Sequence, residues 1–264
     1  MICAVVSKKG GVGKTTTAVT LAAALAEAGR RVLLVDLDSQ ASASLSVGVG
    51  RERLAPSVAD VLLWGTPARE AIRASGVPRL DLLTASADLA SADLELGSFR
   101  QRESRLAAAL EHAAADYDQV ILDCPPGLPL LAVNALVAAD VFVVPVPPQF
   151  LALAGAETLL AAAERLRANY NPKLSLAGLL LTMVDYRTAE TRRNVQRIRE
   201  RYGDAVFAVE VRINTRLAEA PGAAQTILQY DSKASGAQAY RLVAEEYLLR
   251  AERLTREPVG PIRS

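Results

Sequence analysis

The segment Ser7–Thr17 constrains the fold of this chain more than any other. It reads Ser-Lys-Lys-Gly-Gly-Val-Gly-Lys-Thr-Thr-Thr, with three glycines within four residues. An apolar run precedes it at 2–6 and an alanine- and leucine-rich segment with helical spacing follows, so the glycines lie in a turn from a strand into a helix. Such a turn lets backbone N–H groups approach a polyphosphate, and the positive end of the helix dipole favours negative charge. The sequence therefore predicts a phosphate-binding loop.

Two side chains after the last glycine add a positive charge and a hydroxyl group, which the loop backbone does not provide. Lys14 adds positive charge for the β- and γ-phosphates of a nucleotide, and the hydroxyl of Thr15 suits Mg²⁺. The general loop pattern has glycine five positions before Gly13, where this chain has Lys8, and a further lysine, Lys9, begins the loop. A glycine-rich turn without a ligand is the alternative, which lysines on both sides of the glycines disfavour.

Alternating strands and helices predict the fold class. Continuous apolar runs at 31–36, 118–123 and 141–145 are typical of strands buried on both faces. Further strands are predicted at 79–84, 174–182 and 206–209, and a long helix is predicted at 99–115. Residues 41–76 contain no pattern that indicates a catalytic or binding site. Within them, Trp64 is expected to be a packing residue. Because strand–helix alternation implies right-handed parallel crossovers, we expect a three-layer α/β fold with a mostly parallel central sheet flanked by helices on both faces. We expect one domain over residues 1–254 and a flexible C-terminal tail over 255–264.

Three aspartates follow buried strands. Asp36 and Asp38 come at the end of the second strand, and Asp123 ends the strand at 118–123. The carboxyl ends of parallel strands form the ligand-binding edge of such a sheet, and carboxylate oxygens suit Mg²⁺. Asp36 and Asp38 lie on the same side of an extended segment, so one can face the water shell of the metal while the other orients an attacking water. We expect Asp123 to hold Mg²⁺ through water; an ordinary strand-terminal carboxylate is the alternative.

Composition limits the other functions open to the chain. Two cysteines, Cys3 and Cys124, cannot form a disulfide framework, and one histidine, His112, leaves no ligand cluster for a transition metal. No apolar run is long enough to predict a membrane span. The loop begins too close to Met1 for a signal peptide, so a cytoplasmic location is expected. Since the net charge is only +1, any DNA binding has to come from local clusters of basic residues.

The loop segment Lys9–Thr15 resembles the deviant Walker A motif of the ParA/MinD ATPases. Similarity continues at 123–126 and 131–136 and in a C-terminal block at 217–221, 230–231 and 236–240, so it covers nearly the whole chain. The chain is most similar to the short chromosomal type of ParA. This resemblance implies a P-loop NTPase fold and an ATP hydrolase that depends on magnesium.

The family's functional residues carry over position by position. The resemblance implies that Lys9 reaches across a dimer to the partner's nucleotide, that Asp38 is needed for hydrolysis and that Asp36 lies close to Mg²⁺. Asn214 matches a nucleoside contact, although Arg212-Ile213-Asn214 stands where the family has Pro-Arg-Asn. The chain also departs from the family pattern at Ser39 and at 147–150. The first departure concerns the loop around Ser39, and the second concerns local contacts with the dimer partner or the nucleotide. The predicted sites are catalytic Lys9, Lys14 and Asp38; ATP-binding Lys9, Gly10, Gly11, Val12, Gly13, Lys14, Thr15, Thr16 and Asn214; and metal-binding Thr15, Asp36 and Asp123.

Basic residues concentrate between Arg187 and Arg216. A predicted helix at 188–202 carries arginines spaced by four on the face opposite its apolar residues; a solvated helix face is the alternative reading. In the family, the arginines matching Arg187 and Arg216 bind DNA nonspecifically. The resemblance therefore implies a homodimer on ATP binding, nonspecific double-stranded DNA as a partner, a ParB-like centromere-binding protein as another, and a nucleoid-associated location without membrane binding. The arginines spaced by four on the predicted helix at 188–202 are Arg193, Arg197 and Arg201.

Two other functions stay open from the sequence. A MinD-like division-site ATPase would bind the membrane through a C-terminal amphipathic helix, but 254–264 contains two prolines and no aromatic residue. A metabolic P-loop ligase would need a dedicated carboxylate or amine site for its substrate, and no such cluster is visible in the sequence.

Overall fold

The structure of the protein is a computed structural model that describes residues 1–256, with the backbone alone at positions 150, 151 and 153. Its centre is a seven-stranded sheet in the order β3-β4-β2-β5-β1-β6-β7. All neighbouring strands are parallel except β3 and β4, which confirms the mostly parallel sheet. The strands are β1 (Ile2–Val5), β2 (Val32–Asp36), β3 (Ile72–Ala74), β4 (Leu80–Leu83), β5 (Gln119–Asp123), β6 (Val141–Val146) and β7 (Ser175–Leu181).

Helices connect the strands and follow the last one. Within residues 1–256 they are α1 (Lys14–Glu27), α2 (Ser42–Ser46), α3 (Val58–Trp64), α4 (Ala68–Ala71), α5 (Ala92–Leu96), α6 (Arg105–Leu110), α7 (Leu130–Ala138), α8 (Phe150–Asn169), α9 (Ala189–Tyr202), α10 (Thr215–Glu219), α11 (Ile227–Tyr230) and α12 (Ser235–Arg256). Short 3₁₀ turns occur at Arg51–Arg53, Ala87–Ala90, Ala114–Asp116, Gly203–Ala205 and Ala220–Ala223.

Two apolar layers enclose the sheet. Alternate residues of β2 belong to opposite layers because successive side chains of a strand point to opposite faces. Leu33 and Val35 pack in the layer that contains α7 and α8, whereas Val32 and Leu34 pack in the layer that contains α1 and α12. Both faces of this strand are therefore covered, which explains its continuous apolar run and confirms that helices flank the sheet on both sides.

Two predicted elements differ in the structure, and one strand was not predicted. The helix expected at 99–115 is only α6, because the buried side chain of Asn134 accepts the Leu106 N–H at 3.1 Å and donates to the Arg102 carbonyl at 2.8 Å, which holds the preceding segment in a turn. The strand expected at 206–209 is a single bridge, since the carboxylate of Glu246 accepts two of its backbone N–H groups. The antiparallel strand β3 was not predicted; three residues are too short to show a pattern.

The exposed surface and the C-terminus give two more results. Trp64, expected to be a packing residue, is 60% exposed at the end of α3. Helix α12 continues to Arg256, so the first two residues of the predicted tail are helical, and 257–264 lie outside the described residues. No helix in the described part of the chain is both long and apolar enough to cross a bilayer.

Candidate nucleotide and metal site

The glycine-rich loop joins the end of β1 to the first turn of α1, at the carboxyl edge of the sheet. Gly11 has a φ angle of 72° and Gly13 one of 89°, in the left-handed region that only glycine adopts without strain. Gly13 is the N-cap of α1, and the first N–H groups of a helix have no partner within it. The loop and the helix together therefore present backbone donors to an anion.

Neighbouring segments hold the loop in shape without a ligand. The Ser7 hydroxyl donates to the Lys9 carbonyl at 2.7 Å, and the Gly127 N–H donates to the Ser7 carbonyl at 3.1 Å. From the end of β7, the Thr182 hydroxyl donates to the Val12 carbonyl at 2.9 Å. Sequence reasoning missed Thr182 and Gly127; the only signal for Thr182 is a threonine directly after a buried strand. These bonds organise the loop before any phosphate binds.

The two predicted lysines differ in position. Lys14 is 7% exposed, and its ammonium donates to the Lys9 carbonyl at 3.1 Å. Burial lowers the pKa of Lys14, and the carboxylates of Asp123 and Asp38 act against that effect. The side chain of Lys9, in contrast, is exposed on the surface of the loop. Only Lys14 therefore lies where it can serve a phosphate bound within its own loop.

Two of the predicted carboxylates lie side by side at the end of the sheet. Asp36 on β2 pairs with Asp123 on β5, and both residues are completely buried. Burial raises the pKa of Asp36 to about 6, although Ser44 and Asp38 donate hydrogen bonds that lower it. Burial, and then repulsion from Asp36, raises the pKa of Asp123 well above its ordinary value. Two buried carboxylates so placed are both ionised at low cost only when a cation lies beside them.

Magnesium fits these residues. Neither carboxylate oxygen of Asp123 accepts a hydrogen bond of ordinary geometry. Burial raises the pKa of Asp123 by more than the nearby Thr15 hydroxyl and Lys14 ammonium lower it, so the charged carboxylate is costly unless a cation completes it. Mg²⁺ takes oxygen ligands and is usually held by one or two carboxylates together with substrate phosphates. Asp36, Asp123 and the half-buried Thr15 offer such oxygens. Among the described residues there is no group of three or more His, Cys, Asp or Glu side chains that could hold a metal by itself.

Asp36 also organises the loop that follows β2. Its Oδ1 accepts the Asp38 N–H at 3.2 Å, and its Oδ2 accepts both the N–H and the hydroxyl of Ser44 at 2.8 Å. The half-buried carboxylate of Asp38 accepts the Gln40 N–H at 3.0 Å and forms no salt bridge within residues 1–256. The Asp38 carboxylate can therefore accept a further hydrogen bond from a donor such as water. No sequence pattern pointed to Ser44.

A cavity of about 300 Å³ adjoins the first turn of α1. Its lining includes Gly13 and Thr16 of the loop and the first turn of α1, together with Asn214, and is mostly apolar. Asn214 caps α10 by accepting the Arg216 N–H at 2.9 Å, and its amide donates to the Ser235 hydroxyl at 2.8 Å. These bonds leave one amide N–H and one acceptor position. An apolar cavity with few polar groups suits a nucleoside whose phosphates lie on the loop.

The predicted DNA-binding arginines lie beyond β7. A parallel bridge between Val184 and Arg212 brings their two segments together. Both side chains are exposed, but each has a carboxylate partner: Arg187 contacts Asp185 at 2.7 Å, and Arg216 contacts Glu219 at 2.8 Å.

The arginines of α9 divide into two groups. Arg199 pairs with Glu210 and Arg201 pairs with Glu157, each at 2.7 Å. Three other arginines of the same helix form no salt bridge in the part of the chain that the structure describes, and one of them was not singled out from the sequence. They are Arg192, Arg193 and Arg197.

Known proteins resemble this chain over nearly its full length. The sequence profile of a family described as AAA domain matches residues 1–176. The chromosome partitioning protein ParA of Caulobacter vibrioides is 41% identical over 251 residues, which cover 94% of each chain. The chromosome-partitioning ATPase Soj of Thermus thermophilus is 43% identical, over 94% of this chain and 96% of its own. Among solved structures, cobyrinic acid a,c-diamide synthase from Mycobacterium smegmatis with bound ADP and magnesium has a TM-score of 0.82 and 35% identity and covers 98% of both chains.

Proposed function

Since the chain belongs to the ParA/Soj family of chromosome-partitioning ATPases, we propose that its ATP-bound form is a dimer that binds double-stranded DNA without sequence preference. Hydrolysis, stimulated by a ParB-like partner, then releases the DNA. The protein is an ATPase that uses ATP and Mg²⁺. The observation that carries the proposal is the pair of loop lysines, one buried within its own site and the other exposed. A nucleoid-associated location follows from the DNA binding.

The residues of the site divide the work of phosphoryl transfer, which requires mainly positioning and charge stabilisation. Lys14 exchanges the Lys9 carbonyl for phosphate oxygens, which bind an ammonium more strongly because they are charged. Mg²⁺, when bound, supplies charge neutralisation at the phosphates, and Thr15, Asp36 and Asp123 would hold it. The carboxylate of Asp38 orients the attacking water. Backbone donors of residues 10–16 hold the phosphate chain, and Asn214 contacts the nucleoside.

Lys9 acts across a dimer in this proposal. A Cβ atom at Gly10 would meet no atom within 4 Å, and Gly10 has no positive φ angle, so one copy by itself does not require glycine there. Gly11 also has space around it, but its φ of 72° already favours glycine. A loop without side chains at its surface can instead approach a second copy of itself closely. Lys9 would then reach the partner's nucleotide and stabilise charge as an arginine finger does, an effect of about 10³ to 10⁵ in rate in proteins that use one.

The dimer is tested by comparing two neighbouring lysines. Lys9→Ala should abolish ATP-dependent dimerisation, measured by light scattering during gel filtration, and should remove most ATP hydrolysis. The matched control is Lys8→Ala, which removes an exposed lysine one residue earlier and should behave as the wild type. Intact dimerisation and hydrolysis in Lys9→Ala would eliminate the role across the dimer.

DNA binding is tested in a variant that cannot hydrolyse ATP. Asp38→Ala with ATP and Mg²⁺ should retard an unrelated DNA duplex in a gel, and should not do so with ADP. In that background, replacing Arg187 and Arg216 with alanine should weaken binding and reduce the slope of log K against log salt by about 0.9 for each phosphate that is no longer neutralised. The control is Arg30→Ala, an exposed arginine before β2, on the other side of the sheet's centre from β7.

Two results would contradict the DNA role. One is a failure of Asp38→Ala with ATP and Mg²⁺ to retard the duplex. The other is ATP-dependent binding of the wild type to anionic liposomes, which favours the MinD-like alternative instead. Adding a candidate ParB-like protein to the wild type should accelerate hydrolysis and release the DNA.

The ligase alternative has one observation in its favour, namely the synthase among the solved structures at 35% identity. The two partitioning proteins are more similar in sequence, at 41% and 43%. Formation of the a,c-diamide from cobyrinic acid, ATP and ammonia, measured by mass spectrometry, would decide for the ligase; we expect no product.

A further inference from the structure

Ser44 is a completely buried serine in the short helix α2. Its hydroxyl and its backbone N–H both donate to Oδ2 of Asp36 at 2.8 Å. The N–H of Ala85, which follows β4, donates in turn to the Ser44 hydroxyl oxygen at 3.3 Å. Ser44 therefore links a carboxylate of the metal site to the end of a neighbouring strand.

These donors fix the direction of the hydroxyl proton. A serine hydroxyl has one hydrogen and two acceptor positions. Because the Ala85 N–H uses an acceptor position, the single hydrogen is available to Asp36. Oδ2 of Asp36 thus receives two hydrogen bonds, whereas Oδ1 receives one, from the Asp38 N–H at 3.2 Å. Oδ1 keeps an acceptor position, since a carboxylate oxygen can accept two bonds.

We propose that Ser44 is a positioning residue for the metal site: it holds the Asp36 carboxylate so that Oδ1 is directed to Mg²⁺ or to a water molecule bound to Mg²⁺. This inference rests on the proposed function, because it assumes that Asp36 serves the Mg²⁺–ATP complex. Without the hydroxyl, the carboxylate can turn about χ2, a torsion with broad and roughly two-fold preferences. The Ala85 N–H would also be left without its acceptor.

The size of the effect follows from what the variant retains. Outer-shell partners of metal ligands typically contribute roughly 10- to 100-fold in metal affinity. Ser44→Ala keeps the backbone N–H of residue 44, and the Asp38 N–H also continues to donate to Asp36. We therefore expect the low end of the range, about a tenfold increase in the Mg²⁺ concentration required.

The experiment measures Mg²⁺ through nucleotide binding by the full chain. A fluorescent ATP analogue is titrated at a series of Mg²⁺ concentrations and, separately, in EDTA. Ser44→Ala should require about tenfold more Mg²⁺ for the half-maximal effect, with unchanged affinity for the analogue in EDTA. Ser44→Thr, which retains the hydroxyl, should restore the wild-type requirement.

The matched control lies in the same helix. Ser46 is also buried, but its hydroxyl donates to the Ser42 carbonyl at 2.7 Å, whereas the hydrogen bonds to Asp36 come from Ser44 and Asp38. Ser46→Ala should therefore retain the wild-type Mg²⁺ requirement. Thermal unfolding establishes that each variant is folded; if Ser44→Ala is not, Ser44→Cys replaces it, and its weaker donor should give a smaller shift in the same direction.

Two outcomes would overturn the inference. In the first, Ser44→Ala requires no more Mg²⁺ than Ser46→Ala. In the second, Ser44→Ala weakens binding of the analogue equally in Mg²⁺ and in EDTA, as a merely structural role would predict. A wild-type protein whose affinity for the analogue does not depend on Mg²⁺ is a separate result, which contradicts the proposed function itself.

Discussion

Replacing Asp123 with asparagine is expected to stabilise the ligand-free protein, by an amount that grows with pH. Asp123 is completely buried, neither of its oxygens accepts a hydrogen bond of ordinary geometry, and Asp36 lies opposite on the next strand. Burial and that neighbouring carboxylate raise the pKa of Asp123 well above its ordinary value. At a pH above the ordinary aspartate pKa, Asp123 therefore keeps its proton in the folded protein, whereas the unfolded chain releases it.

The sign and the magnitude follow from that proton. Between the unfolded pKa, about 3.9, and the raised folded pKa, the folded state binds one proton more than the unfolded state. The free energy of unfolding is thus highest below this window and falls as pH rises through it, by at most about 1.4 kcal/mol per pH unit. Asparagine does not titrate, so its advantage over aspartate widens at the same rate. One kcal/mol corresponds to about 2–4 °C in a chain of this size, so the Tm difference should widen by at most roughly 3–6 °C per pH unit.

The assay is thermal unfolding in EDTA between about pH 6 and pH 8, followed by circular dichroism. The control is Asp93→Asn, which makes the same substitution at an exposed aspartate of α5 and is measured under the same conditions. With saturating ATP and Mg²⁺ the order should reverse, because the wild type binds the ligands more tightly and gains more stability. A Tm difference between Asp123→Asn and the wild type that stays constant over this pH range would refute the reasoning.

Three further substitutions have expected outcomes. Lys14→Ala should weaken ATP binding by roughly 10- to 100-fold in calorimetry, because a charge-assisted bond is worth about 1.5–3 kcal/mol, whereas the exposed Lys173→Ala should not. Asn134→Ala removes three hydrogen bonds of a buried side chain, to Leu106, Arg102 and Leu130. The free energy of unfolding, measured in urea, should decrease by about 2–4 kcal/mol, and ATP affinity should be unchanged. A decrease of less than about 1 kcal/mol would contradict this expectation. Gly178→Ala would place a Cβ atom 2.7 Å from the Phe207 ring and should cost about 1–3 kcal/mol in the same assay. Gly222→Ala, with no atom within 4 Å, should be neutral, and equal decreases in the two glycine variants would count against the packing argument.

Features that rest on local pattern can be predicted from this sequence. The family, the mostly parallel sheet and the ATPase are predicted correctly, since the glycine-rich loop and the buried strands each have a signature within a few residues. The positive φ angles of Gly11 and Gly13 explain why the loop has glycines at these positions. The roles of Lys9 and Asp38 stay predictions, because they depend on a second copy and on bound ATP.

Features that depend on distant contacts cannot be predicted in this way. The Thr182 hydroxyl anchors the carbonyl of Val12, 170 residues away, and nothing near either residue indicates the bond. The α9 arginines show the same limit. Their spacing predicts an exposed basic face, but only the folded chain shows that Arg201 is paired with Glu157 while Arg193 is in no salt bridge with the described residues. Pairing of charges is a property of the tertiary structure.

The bond from the Lys14 ammonium to the Lys9 carbonyl has a consequence for selectivity among nucleotides. The Lys9 carbonyl takes the place of a phosphate oxygen, so a nucleotide that binds has to displace this carbonyl from the Lys14 ammonium. Binding therefore exchanges one acceptor for another, and the net gain from this contact is the difference between them. A ligand that offers only a neutral oxygen gains nothing, whereas a polyphosphate gains its additional negative charge. We therefore expect weak, uncharged acceptors to gain little from Lys14, and we expect the Lys9 carbonyl to accept the ammonium again after the nucleotide leaves.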